Sequence, residues 1–318
     1  MRRVLLTGAT GFVGANLARR LLADGYELHL LVRHGSSPWR IEAIRDHVRL
    51  HTINLLDPAA AAGAVAAVRP DWVFHLAAHG AYSWQTDPHQ IIQTNLSATV
   101  NLVEASLKAE VAVFVNTGSS SEYGAKPFAP SETSWLEPNS MYAVTKVAAT
   151  HYCRHVAQRS AMRIATLRLY SVYGPYEEPN RLMPTLIEHG LRGALPPLVS
   201  PDIARDYIYA DDVSDAYLLA ATVEGQEPGA VYNLGTGVQT TLREVVELAC
   251  DVLPITVAPA WGTLPGRPWD TTVWVADNRA IRNALGWGPR HSFGEGFRQM
   301  VAWFQANPQL LKRYQPTC

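Results

Sequence analysis

A short apolar run, Val4-Leu5-Leu6-Thr7, passes straight into Gly8-Ala9-Thr10-Gly11-Phe12-Val13-Gly14, after which Val13, Leu17 and Leu21 recur on one helical face. A strand, a glycine turn and a helix in direct succession leave few choices for the surrounding fold. Glycines let the backbone turn tightly and let a pyrophosphate come close, with its charge among the unpaired N–H groups of the helix N-terminus. The spacing has one more residue between the first two glycines than Gly-x-Gly-x-x-Gly. A glycine turn alone is a weak signal; one that follows a strand and opens a helix points to a dinucleotide.

The next segments extend the pattern. Leu28 to Val32 reads as a second strand, ending where a dinucleotide fold meets the adenosine ribose. An acid there would take the 2′-hydroxyl. This chain has Val32 and Arg33, with His34, Ser36 and Ser37 behind, which suits a 2′-phosphate and favours NADP, with NAD possible; the other reading is a solvated arginine after a strand. Asn54-Leu55-Leu56-Asp57 is expected to close a third strand, and Pro58 to Val68 to form a helix stopped before Pro70. Trp72 to Ala78 is a fourth strand, whose small Ala77 and Ala78 leave room for a cofactor. His79, next in line, either touches substrate or is structural or solvated. A helix over Pro88 to Ala109, a fifth strand over Val111 to Val115 and a sixth over Arg163 to Leu169 follow. This alternation predicts an α/β fold, a Rossmann-type doubly wound parallel sheet covered on both faces. The cofactor set read from it is Gly8, Gly11, Phe12, Val13, Gly14, Arg33, Asn54, Leu55, Ala77 and Ala78.

Past residue 170 proline and glycine become frequent, which marks a smaller, loop-rich C-terminal lobe. The expected division is 1–170 for the dinucleotide domain, with 206–238 returning to it, and 171–318 mainly for substrate. Arg205 to Asp212 leads into a helix, and Val231 to Gly235 reads as a late strand. Thr241-Leu242-Arg243-Glu244 has the pattern of a capping box, and Asp277 and Gly286 bracket a short helix.

Chemistry concentrates in Asn139-Ser140-Met141-Tyr142-Ala143-Val144-Thr145-Lys146. In a helix Tyr142 and Lys146 project from one face, so phenol and ammonium can meet near one substrate atom. A nearby cation favours the phenolate and would lower its pKa toward neutrality. The polar stretch Asn116 to Gly124 offers a hydroxyl to hold an oxygen on which charge develops. A tyrosine four residues before a lysine is also a common surface pair; the glycine turn at the start of the chain separates the two readings.

With 318 residues, 47% hydrophobic and 17% charged, the chain can bury a full core, and its net charge of -1 supplies no attraction for nucleic acid or an anionic membrane. A small ligand fits better. Cys153, Cys250 and Cys318 form no Cys-x-x-Cys pair and no metal spacing, which suits a reducing compartment and a cytoplasmic protein without a metal. Neither a signal-peptide core nor an apolar run of bilayer length is expected.

Taken together, Gly8-x-x-Gly11-x-x-Gly14, His75-Leu76-Ala77-Ala78, Ser119 ahead of Tyr123-Gly124, Tyr142-x-x-x-Lys146, Arg168 to Pro175, Arg205-Asp206 and Tyr232-Asn233-Leu234-Gly235 make the chain resemble the extended short-chain dehydrogenase/reductases. These are nucleotide-sugar epimerases, dehydratases and reductases. The resemblance implies a catalytic set of Ser119, Tyr142 and Lys146, with Tyr142 moving the proton and Lys146 also holding the nicotinamide ribose. It implies that Arg205 and Arg267 reach the sugar-nucleotide diphosphate, with His79, Ser120 and Ser171 at the substrate, and a homodimer packed through helices near Ser97 to Ala109 and Tyr142 to Ser160. Two departures stand out. Ser120 and Ser121 occupy the places of the acidic pair of 4,6-dehydratases, which disfavours dehydration, and Ser171 stands where many relatives carry asparagine. The expectation that follows is NADPH-dependent reduction of a nucleotide-activated 4-keto-6-deoxy sugar. A 4-epimerase with tightly bound NAD(P) would use the same residues, and a non-catalytic NADP-sensing protein is the reading from another class.

Overall fold

Successive side chains of a strand point to opposite faces, so a strand apolar throughout must be covered on both. In the computed structural model, which describes residues 1–267 and 270–314, the apolar middle of β1 (Arg3–Thr7) is covered in this way: Val4 and Leu6 join one buried cluster and Leu5 another. It leads through α1 (Phe12–Ala23) to β2 (Glu27–Val32), β3 (Arg49–Thr52), α2 (Pro58–Val68) and β4 (Trp72–His75). Next, α3 (Pro88–Ile92), a π-helical turn over Gln93–Ser97 and α4 (Ala98–Lys108) form one helical run ahead of β5 (Val113–Ser119). Then come α5 (Met141–Ala157), β6 (Arg163–Leu169), β7 (Ser171–Tyr173), α6 (Leu182–Gly190), β8 (Ala204–Arg205), β9 (Tyr207–Tyr209) and α7 (Ala210–Thr222). The chain continues with β10 (Ala230–Leu234), β11 (Thr240–Thr241), α8 (Leu242–Val252), α9 (Arg279–Leu285), α10 (Phe293–Ala306) and α11 (Pro308–Leu311).

Among the described residues the main sheet has seven strands in the order β10-β6-β5-β4-β1-β2-β3, all parallel. The chain order reverses between β1 and β4, which opens a crevice at the C-terminal strand ends. Helices α1 and α7 pack together on the face of Val4, Leu6 and Phe74, while α2 and α4 pack together on the face of Leu5, Val73 and Phe114. A third apolar cluster gathers Tyr173, Met183, Leu186, Val245, Phe297 and Phe304 from β7, α6, α8 and α10. The late strand read at Val231 is β10, and it pairs with β6 at the edge of the main sheet.

Three elements differ from expectation. Asn54 to Asp57 closes no strand: after Ile53 donates to the Val32 carbonyl, the Asn54 side chain accepts from Leu56 N–H, so a local turn takes over from the ladder. Strand β4 stops at His75 because the next two N–H groups, of Leu76 and Ala77, turn to the Thr7 hydroxyl. Strand β5 runs on to Ser119, in register with Leu169, so the first four residues of the polar stretch Asn116 to Gly124 belong to the sheet and the next four to a 3-10 turn. The Thr241 capping box is formed, and Gly286 ends α9 with φ 65°. Among the described residues no helix is long and apolar enough to cross a membrane. Cys318 lies outside them.

Candidate active site

The glycine turn needs its glycines for space. At Gly8, φ is +74° and a Cβ would lie 2.5 Å from the Leu76 carbonyl carbon; at Gly14 it would lie 2.3 Å from the Gly8 oxygen. The turn is thereby pressed against the backbone leaving β4, with Ala77 beside it, and Phe12 and Val13 open α1 at the crevice. A cradle so tight that no side chain fits is what close approach of a pyrophosphate demands, so these residues suit a dinucleotide.

A buried polar network fixes the end of β4. His75 joins Thr7 through Nδ1 at 2.8 Å and Thr99 through Nε2 at 2.9 Å. The Thr99 hydroxyl donates to the Asn95 carbonyl, so it must accept from His75 Nε2–H, leaving Nδ1 to accept from Thr7. Burial pushes the His75 pKa down to about 3, in keeping with this neutral ring. Asn95, on the π-helical turn, accepts from His79 N–H and donates to the His79 carbonyl and to Thr145, each at 2.8 to 2.9 Å. Thr145 in turn donates to the Tyr142 carbonyl, so one amide ties the residues after β4 to α5.

Ser140 caps α5, which places Tyr142 in its first turn and Lys146 one turn on. The Lys146 ammonium donates to the Thr117 carbonyl at 2.9 Å and lies 5.7 Å from the Tyr142 ring centre. Desolvation pushes Lys146 down to about 8 and pushes the Tyr142 phenol up to about 12, against which a hydrogen bond with Ser119 is the largest opposing influence. The expected lowering of the phenol by the lysine is therefore overridden by burial. At neutral pH this phenol is protonated and ready to give a proton.

Ser119 ends β5 and caps a single 3-10 turn, Ser120–Tyr123, in a reciprocal capping box with Glu122. Beneath it lies a dry ion pair: Arg168 Nε donates to Glu122 Oε2 at 2.9 Å, and the other carboxylate oxygen accepts from Ser119 N–H and the Thr150 hydroxyl. Tyr123 and Asn233 complete the layer through a 2.6 Å hydrogen bond. A buried pair of this kind holds geometry rather than adding net stability. Ser119 is thus seated on a rigid base.

The remaining residues line up along the cleft to different degrees. Ser120 accepts from the indole N–H of Trp274 at 3.2 Å, and Arg205 stacks over that same indole at 5.5 Å. Arg205 also donates to the Ala204 carbonyl and pairs with Asp270 at 3.7 Å; burial lowers its pKa, and the nearby charges of Arg181 and Arg267 act the same way. Arg267 itself is exposed, with its N–H bonded to Asp270. Ser171 is half-buried on β7, opposite Tyr207. Arg33 is exposed at the end of β2, and its charge together with burial lowers the pKa of His79. The Leu55 carbonyl accepts from Asn101, and the Asn54 side chain serves its own turn. Sequence reasoning missed Asn95, Glu122 and Trp274, and the base role of Arg168; a charged residue inside the apolar run of β6 was the one local signal. Among the described residues no group of three or more His, Cys, Asp or Glu side chains could hold a metal ion.

A dinucleotide cradle at the switch point of a parallel sheet, next to a seated serine, a protonated phenol and a lysine, defines an oxidoreductase-type enzyme that works with a nicotinamide cofactor. The chain belongs to the NAD dependent epimerase/dehydratase family, whose model matches residues 4–235. It is similar to the UDP-glucose 4-epimerase of Mycolicibacterium smegmatis, at 32% identity over 96% of this chain and 100% of that one. Among solved structures it resembles the UDP-glucose 4-epimerase of Thermotoga maritima with UDP-glucose, with a TM-score of 0.87, 26% identity and coverage of 96% and 99%. It also resembles the UDP-glucose 4-epimerase of Thermus thermophilus in complex with NAD, with a TM-score of 0.83, 30% identity and coverage of 95% and 99%.

Proposed function

We propose that the protein is a nucleotide-sugar 4-epimerase in which Tyr142 first releases its phenolic proton to solvent, favoured by the Lys146 charge, then as phenolate takes the proton of the sugar 4-hydroxyl and later returns it to the 4-oxygen. The observations that carry this reading are the Lys146 ammonium, held on the Thr117 carbonyl and 5.7 Å from the Tyr142 ring centre, and Ser119 at the end of β5, with only β4 between that strand and the one that leads into the glycine cradle. When bound, the dinucleotide supplies the hydride acceptor and donor that carbon oxidation and reduction need. Ser119 holds the oxygen and Tyr142 holds or moves its proton. Lys146, fixed to the Thr117 carbonyl, presents its charge beside the phenol, which makes the phenolate less costly when the phenol gives up its proton. The absence of an acidic residue directly after Ser119 speaks against elimination of water, since Ser120 and Ser121 supply no general base of useful pKa.

The part of the chain beyond residue 170 is assigned to the nucleotide sugar, with Arg205 and Arg267 as the diphosphate contacts, because a guanidinium fork matches phosphate oxygens. A homodimer is the proposed assembly, supported by the exposed apolar Ile92, Met141 and Val144 on the adjacent helices α3 and α5. The test of activity is incubation with UDP-glucose and no added cofactor. Equilibration with the 4-epimer is expected; an unchanged substrate speaks against the proposal.

Arg33 favours a second reading. An exposed arginine with no acid at the end of β2 supports binding of a 2′-phosphate, hence NADP(H), and an exchangeable NADPH would serve a reductase of 4-keto-6-deoxy nucleotide sugars. Titration should show tighter binding of NADP(H) than of NAD(H), and Arg33→Ala should abolish the difference. Net NADPH consumption with a 4-keto sugar, without epimerisation of UDP-glucose, would establish the reductase.

A further inference from the structure

A glycine turn grips a ligand only as firmly as its own backbone is held, and here one side chain joins that turn to a segment beyond β7. Arg40, buried after β2, donates from Nη1 to the Thr10 carbonyl inside the turn at 3.3 Å. The same guanidinium donates from Nε to the Tyr176 carbonyl at 2.7 Å and from Nη2 to the Glu178 carboxylate at 2.8 Å. Its own carbonyl accepts from Arg19 of α1 at 2.6 Å, and Arg19 lies 3.9 Å from the Tyr176 ring centre. One turn into α1, Asn16 donates to the Pro175 carbonyl at 2.8 Å. Residues 175–178 are thus strapped onto the glycine turn and the helix that follows it.

Backbone conformation points the same way. Tyr176 has φ +66°, which a residue with a side chain holds only where its surroundings over-determine it. The Arg40 and Arg19 contacts provide that constraint. Downstream on the strap, the buried Glu177 lies 3.6 Å from Nε of Arg181, the residue that opens α6. Upstream the strap follows directly on β7, whose Ser171 pairs with Tyr207, two residues after Arg205, so it is joined to the cleft residues.

We infer that Arg40 is a positioning residue that couples dinucleotide binding at the glycine turn to nucleotide-sugar binding in the cleft. The inference rests on the proposed function for the identity of the two ligands. A planar fork that serves three acceptors on two segments cannot follow one segment without losing a buried, charge-assisted hydrogen bond to the other. A ligand that orders the glycine turn therefore orders the strap as well, and the second ligand has less left to order. By linkage the effect is reciprocal.

The experiment uses the full chain, stripped of dinucleotide, and titrates UDP-glucose by calorimetry with and without saturating NADP+ or NAD+. In the wild type the dinucleotide is expected to tighten UDP-glucose binding about fivefold or more. Arg40→Met should still bind both ligands, with affinities that no longer depend on each other. Glu178→Gln, which keeps a hydrogen-bonding oxygen but removes the charge, should give an intermediate ratio and serves in place of Arg40→Met if that variant does not fold. A purely structural role would lower thermal stability and leave the ratio unchanged. An unchanged ratio in the variants, or independent binding in the wild type, overturns the inference and leaves the proposed function standing. A wild type that binds neither ligand overturns both.

Discussion

At the scale of single residues the account turns on protonation. Tyr142, raised to about 12 by burial, must give up its proton before it can take one from the sugar 4-hydroxyl. Tyr142→Phe keeps the ring and removes that proton. Turnover is expected to fall by about 10²-fold or more, with dinucleotide affinity little changed, which steady-state rates and a binding titration would check. His75 supplies a second prediction. Its ring stays neutral in the fold down to about pH 3, against an ordinary value of 6.5, so the unfolded chain takes up a proton that the folded chain refuses. The stability tied to His75 is complete above pH 6.5 and falls as the pH drops toward 3, by up to about 1.4 kcal/mol per pH unit. Urea unfolding at pH 7 and pH 5 should show a smaller loss for His75→Gln than for the wild type; equal losses would mean that the ring does not stay neutral.

At the scale of elements the site depends on contacts between distant segments. Asn95 sits on the π-helical turn between α3 and α4, a local widening often found at functional sites, and its amide serves His79 on one side and Thr145 of α5 on the other. Asn95→Ala would strand the half-buried His79 backbone groups and remove a donor from the buried Thr145 hydroxyl. A loss of about 1–3 kcal/mol is expected in chemical denaturation, and a variant within about 0.3 kcal/mol of wild type would contradict it. Such links also explain what could be read in advance. The glycine turn and the Tyr142 to Lys146 spacing are local patterns, set by one turn and one helix period, and the order of β1, α1 and β2 follows from them. Arg168 and Glu122 are 46 positions apart, and Trp274 and Ser120 are 154 apart. No periodicity encodes such pairings; the parallel pairing of β5 with β6 and the return of the chain after α8 create them. The end of β3 was misplaced because an asparagine side chain outcompeted the ladder, a contest between nearly equal hydrogen bonds that composition does not settle.

At the scale of the whole molecule, the parallel sheet brings the glycine cradle, the Ser119 base and the first turn of α5 to one crevice, while β7, α6, α8 and α10 build their own apolar cluster beside it. Arg40 and the strap at 175–178 join the two regions. The central claim is that hydride leaves the sugar C4 and comes back to it within one protein molecule. The direct measurement is conversion of UDP-glucose deuterated at C4, with no added cofactor, followed by mass and NMR. Epimerisation at C4 with the deuterium retained on that carbon is the expected result. A 4-epimer that has lost its deuterium to solvent, or labelled substrate that stays unconverted, would contradict it.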